Sequence, residues 1–139
     1  MASGIYNRFK YNLAKKLIEL SADTIKVMLL NNSHSFDADH DVPGDVNANE
    51  LAATGGYTTG GTTLTTKTVT QDDTNDLMKF DADDATWSSA TFTAYHAVIW
   101  DDTVATDDLI ASIDFGGAKS VSAGTFTIQW SANGIIRLT

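Results

Sequence analysis

The sequence predicts a mainly β protein: an antiparallel β-sandwich or jelly-roll-like domain carrying one N-terminal amphipathic helix. Three observations predict it. Thr is abundant, at 19 of 139 residues, and Thr favours strands. Sixteen of the eighteen carboxylates are Asp, with only Glu19 and Glu50 as Glu, and Asp belongs in turns and caps rather than helix interiors. From residue 62 onward, short apolar-alternating runs follow one another at close spacing, separated by Asp- and Gly-rich turns.

The helix comes first. Ile5, Phe9, Leu13 and Leu17 recur every four residues with Tyr6, Ile18 and Leu20 beside them, so Gly4 to Leu20 reads as one amphipathic helix. Its polar side carries Arg8, Lys15 and Lys16. Four basic residues against Glu19 give residues 1–20 a net +3, which leaves −12 for the rest of a chain whose total is −9. That asymmetry permits head-to-tail contact between identical subunits and makes Ile5, Arg8, Phe9, Lys15 and Lys16 interface candidates. The plainer reading docks the helix on the domain's own sheet.

Thr24 to Leu30 (TIKVMLL) alternates Ile25, Val27 and Leu29 with Lys26 and Met28, the period of a half-buried strand. Residues 31–61 hold no sustained period and are dense in Asn, Asp, Gly and Ser. Such a stretch is too long for an ordinary connection and reads as either a functional loop or an excursion with its own short elements. Further strands are expected near Thr62–Thr70, Leu77–Phe80, Ala85–Trp87, Thr93–Trp100, Leu109–Phe115 and Thr125–Trp130. The last expected strand, Gly134–Leu138, returns after Ser131-Ala-Asn-Gly134, whose Asn133-Gly134 pair takes positive φ cheaply. It is expected to pair with Thr125–Trp130 and close the sheet, which adds Ile135, Ile136 and Arg137 to the interface candidates. No repeat or linker divides the chain. It reads as one domain, 1–139, with the helix at 4–20, the excursion at 31–61 and a β-rich core at 62–139.

The totals exclude several function classes. A net charge of −9 and a pI near 4.4 argue against direct nucleic-acid or anionic-membrane partners, and no segment approaches ~20 apolar residues. Met1 to Glu19 lacks the continuous apolar core of a signal peptide. Cysteine is absent, so no disulfide, thiolate site or Cys nucleophile is available.

Candidate chemistry is thin. Asp37, Asp39 and Asp41 place carboxylates at every second residue, as a Ca²⁺ loop does, but the sixth and twelfth positions are Val42 and Ala48 rather than Gly and Glu. They remain weak metal candidates beside the turn carboxylates Asp81, Asp83 and Asp84. His34 and His40 flank that loop at no recognised ligand spacing, and His96 reads as a sheet histidine. There is no G-x-S-x-G, no phosphate loop around Tyr57-Thr-Thr-Gly-Gly61, and no paired-carboxylate cleft. Trp87, Trp100 and Trp130 stand among alternating apolar residues and read as core. The sequence therefore points to a non-enzymatic protein with no cofactor.

Five stretches carry a resemblance: Asp23-Thr-Ile-Lys-Val27, Gly56-Tyr-Thr-Thr-Gly-Gly61 with Leu64, Asp81-Ala-Asp-Asp-Ala-Thr-Trp87, Ala97-Val-Ile-Trp-Asp101, and Phe126-Thr-Ile-Gln-Trp130 with Ala132-Asn-Gly-Ile135. Together they resemble short structural (virion) proteins of tailed bacteriophages, across nearly the whole chain. The resemblance implies a protein made in a host cytoplasm and incorporated in the virion. It further implies a capsid decoration (cement) protein that binds the major capsid protein or another virion protein, commonly as a homotrimer. A tail, baseplate or fibre-associated protein is the first alternative, a carbohydrate-binding β module the second, and an enzyme the third.

Overall fold

The computed structural model describes residues 3–139. In chain order the elements are β1 (Gly4–Ile5), α1 (Asn7–Ala14), β2 (Ile25–Leu30), β3 (Thr62–Thr63), β4 (Thr68–Asp72), β5 (Leu77–Asp81), β6 (Ala85–Asp101), β7 (Leu109–Ile128) and β8 (Ile136–Leu138). Two single-turn 3-10 helices, Pro43–Asp45 and Asn47–Asn49, lie in the excursion. The fold is mainly β, with two antiparallel sheets and one α-helix. The larger sheet has the order β1-β7-β6-β2-β3 and the smaller β4-β5-β8.

The long β6–β7 hairpin organises the larger sheet. The stretches expected as four strands, 85–87 with 93–100 and 109–115 with 125–130, fuse into two, because bulges let each strand bend without breaking the ladder. Ser89 and Ala123, both at φ 48, mark one irregularity, and Gly116 and Gly117 at φ 78 and 154 mark another. Conversely, the expected strand at 62–70 splits into β3 and β4. Thr66 takes φ 55 between them, and its hydroxyl donates to Asp83 at 2.6 Å.

The smaller sheet packs Phe80 and Ile136 against Val27, Leu29, Ala97, Ile99 and Ile110 of the larger one, forming the main core with Phe9 and Leu64. A second cluster covers the opposite face: Met28, Leu30, Val98, Trp100 and Leu109 meet Tyr6 and Val46, with Phe36 against them. Alternation in Thr24–Leu30 predicts a half-buried strand; β2 is instead buried on both faces, since the excursion folds back over it. Each fully buried Leu, Ile or Val contributes about 1.5–3 kcal/mol, so both layers matter to stability.

The N-terminal helix is half as long as its apolar period suggests. Lys16 adopts φ 59, and the amides of Lys16 and Leu17 donate to the carbonyls of Leu13 and Asn12, a Schellman termination. Before it, Gly4 and Ile5 are drawn into a strand opposite Ser112 and Ala111. After it, Ile18 and Leu20 reach the core from an irregular segment that turns at residues 20–22. The four-residue period thus ran through a strand, a helix and a turn in succession, and its last member, Leu17, is exposed.

The expected terminal hairpin does not form. The turn is present, with the Gly134 amide donating to the Ser131 carbonyl at 2.9 Å, but β8 pairs with β5, aligning Phe80 with Ile136. Trp130 explains the diversion. Its backbone amide donates to Asp84 Oδ1 and its indole Nε1 to the Asp83 carbonyl, both at 3.0 Å, which carries the chain across to the β5–β6 junction. Among the described residues no helix is long and apolar enough to cross a membrane.

Candidate functional site

The N-terminal interface candidates gather where α1 meets the start of β7. Arg8 Nε donates to Asp108 Oδ2 at 2.9 Å, Asn12 Nδ2 donates to the same oxygen at 2.6 Å, and the Thr106 hydroxyl donates to Asp108 Oδ1. Burial alone would raise the Asp108 pKa. The hydrogen bonds from Thr106, Asn12 and Arg8, with the Arg8 charge, outweigh it, and the carboxyl sits below its ordinary value. Arg8 therefore spends its charge inside its own chain. Phe9 is interior and Ile5 half-buried, whereas Lys15 and Lys16 point into solvent. At the other end of the chain, Ile136 is interior, Ile135 half-buried and Arg137 exposed.

The acidic excursion is tied down by local bonds. Asp37 Oδ1 accepts from the Asp39 amide at 3.0 Å, Asp39 Oδ1 accepts from Asn7 Nδ2 at 2.8 Å, and Asp41 Oδ2 lies 4.0 Å from the Arg8 guanidinium. Asp45 accepts from the amides of Asp41 and Val42, and those two bonds lower its pKa. These carboxylates shape turns and fasten the excursion to α1. Among the described residues, no group of three His, Cys, Asp or Glu side chains converges as a metal ion requires.

Beneath the excursion lies a polar cluster that spacing could not reveal. His34 Nε2 sits 3.0 Å from Ser112 Oγ, the His34 and His96 rings meet edge-on at 5.0 Å, and His96 Nδ1 lies 3.9 Å from Asp114 Oδ1. His34, His96 and Ser112 are all buried. Burial first, then the neighbouring His96, pushes His34 down to about 4; burial also lowers His96. Both imidazoles are therefore neutral at pH 7. Serine, histidine and carboxylate fall in one cluster, but a second histidine stands between His34 and Asp114, which is not the direct serine–histidine–carboxylate order of a nucleophilic relay. The cluster fastens the excursion to β6 and β7. Its sequence signal was absent because His34 and Ser112 are 78 residues apart.

Two further carboxylates hold junctions. Glu50 accepts from the Tyr57 hydroxyl at 2.7 Å and the Gly60 amide at 2.6 Å, fixing the glycine-rich turn. Asp101 is fully buried; its Oδ1 accepts from the amides of Thr103 and Val104, while Oδ2 has no donor among the described residues. Trp87 and Trp100 are buried and Trp130 half-buried, so they offer no row of exposed aromatic faces.

Compared with family models, with curated proteins and with solved structures, the chain matches none.

Proposed function

We propose that the protein is a non-enzymatic structural component of a tailed-phage virion, acting as a capsid decoration protein that binds and stabilises the shell through oligomeric packing, a trimer being the favoured state. The observation that supports it most is the outer edge of β7. β1 pairs with Ala111 and Ser112, and the Ser3 hydroxyl accepts from the Asp114 amide at 2.9 Å, but from Gly117 to Ile128 no strand of the described residues lies beside β7 on that side. An edge of that length is a template for another chain unless it is blunted. Bulging around Gly116 and Gly117 blunts part of it, and Lys119 guards the middle. The remainder suits a neighbouring shell protein.

The resembling stretches support the same reading, because they fall on the scaffold: the start of β2, the Glu50-fixed turn, the β5–β6 junction, the end of β6 and the end of β7. In this reading the two sheets are a small open sandwich rather than a jelly roll, since the strands divide five and three. The test is copy number per virion, by quantitative mass spectrometry against the major capsid protein. Hundreds of copies in fixed ratio to the shell support decoration. A handful moves the protein to the tail or baseplate, and none rejects the virion assignment.

A further inference from the structure

We propose that the basic end of α1 docks into an acid-rimmed apolar pocket on the smaller sheet of a second copy of this chain, head to tail. Among the described residues four large apolar side chains are exposed: Tyr11 at 53%, Leu17 at 53%, Val69 at 46% and Leu138 at 37%. They divide into two patches of opposite charge. Leu17 lies just past the end of α1 beside exposed Lys15 and Lys16, and Tyr11 stands one turn back from Lys15 on the helix. Val69 and Leu138 line, with Met78, an open pocket of about 600 Å³ whose rim carries Asp72, Asp73 and Asp76.

The exposure of each patch has a local cause. The Schellman turn at Lys16 throws Leu17 outward, and Asn12, which an apolar C-terminal residue would ordinarily pack against, is committed to Asp108. On the smaller sheet, the registers place Val69 opposite Phe80 and Leu138 opposite Met78, so these residues share the face that meets the main core. Phe80 and Ile136 are covered there, while Val69 and Leu138 are left uncovered.

Charge complementarity selects the occupant. With Arg8 held by Asp108, the charges left at the end of α1 are exposed Lys15 and Lys16, and they meet the rim carboxylates Asp72, Asp73 and Asp76. The apolar knob supplies affinity on burial, while the lysines and rim carboxylates steer encounter and set orientation. Knob and pocket are different surfaces, so the contact is heterologous, and repetition closes a ring or runs on as a chain. The contact concerns the chain with itself and stands whether or not the shell assignment does.

The experiment is sedimentation of the full chain in low and high salt, with Leu17→Asp and Val69→Asp as variants. Both positions are exposed, and thermal unfolding of each variant checks that its fold is intact. The wild type should associate with rising concentration, and salt should weaken the association as the ~10 Å screening length at 0.1 M shortens. Each variant alone should be monomeric. Mixed, they should give a 1:1 dimer and nothing larger, because each keeps the half the other has lost. If either variant unfolds, Lys15→Asp should abolish association and Lys15→Asp with Asp73→Lys in one chain should restore it. A wild type that stays monomeric in low salt, variants that associate unchanged, or a mixture that stays monomeric would each overturn the contact. None of these results depends on a shell, so failure here leaves the copy-number test untouched.

Discussion

Asp101 should make this protein lose stability as pH rises from acid to neutral, against the usual direction for a carboxylate. Its side chain is fully buried, and burial first, then a hydrogen bond with Asp23, pushes its pKa from 3.8 up to about 7. The geometry gives the reason. Oδ1 is occupied by two amides, Asp23 Oδ2 accepts from the Glu19 amide, and Asp101 Oδ2 faces no donor, so a proton placed there satisfies both carboxyls. The neighbouring charges do not neutralise the pair: Lys26 lies 3.4 Å from Asp102, and Asp107 faces Asp102. The folded pKa lies above the unfolded one. The contribution is therefore complete below about pH 4 and lost as pH rises to about 7. Three pK units at about 1.4 kcal/mol each set a ceiling near 4 kcal/mol, and sharing with Asp23 brings the expected loss to about 2 kcal/mol. Asp101→Asn keeps the acceptor for Thr103 and Val104 and offers Asp23 a permanent donor. Urea unfolding at steps from pH 4 to 8 should show a wild-type-minus-variant stability difference that declines by about 2 kcal/mol across that range. Parallel profiles for the two proteins would refute the shared proton.

Other perturbations have clear directions. His34 has a folded pKa near 4 against 6.5 unfolded, so its contribution is present above pH 6.5 and lost as pH falls to about 4; His34→Gln should flatten that acid limb, and an unchanged limb would detach the cluster from acid sensitivity. At Gly61, φ is +84 and a Cβ would overlap the Val27 carbonyl oxygen, so Gly61→Ala should cost upwards of about 3 kcal/mol; a loss below about 1 kcal/mol in denaturant midpoint would contradict the close β2–β3 approach. Ile136→Ala removes a buried side chain opposite Phe80 and should cost about 2–4 kcal/mol, whereas a near-neutral result would mean that β8 is not docked. Lys16→Gly relieves a left-handed residue at the helix end and should raise stability by about 0.5–1 kcal/mol in calorimetry, a fall being the contrary result.

The β period was legible wherever a strand lay between one core and one wet face, as in Leu77–Phe80, which became β5. It misled wherever two segments shared a period but not a backbone conformation. Ile5, Phe9 and Leu17 sit at helical spacing, yet the structure puts them in a strand, a helix and an exposed turn. The turn at Ser131–Gly134 was legible from Asn133-Gly134 alone, because positive φ is a local property. Its destination was not, because hydrogen bonds from Trp130 to Asp84 and Asp83, 46 and 47 residues away, choose the sheet. The polar residues divide the same way. Asp72, Asp37 and Asp45 act as the turn caps that Asp-rich spacing implies, while Asp101, Asp108 and His34 owe their character to burial and to partners far along the chain.

The sequence by itself therefore determined the β class, the turn chemistry, the absence of thiol chemistry and the opposition between a basic N-terminal segment and an acidic body. All of these follow from residue type and near neighbours. Only the tertiary structure decided which strand receives the chain's last residues, which carboxylate is starved of donors, and which apolar side chains remain uncovered. Those outcomes depend on long-range registers and on water being excluded from particular atoms, and neither is written in local spacing.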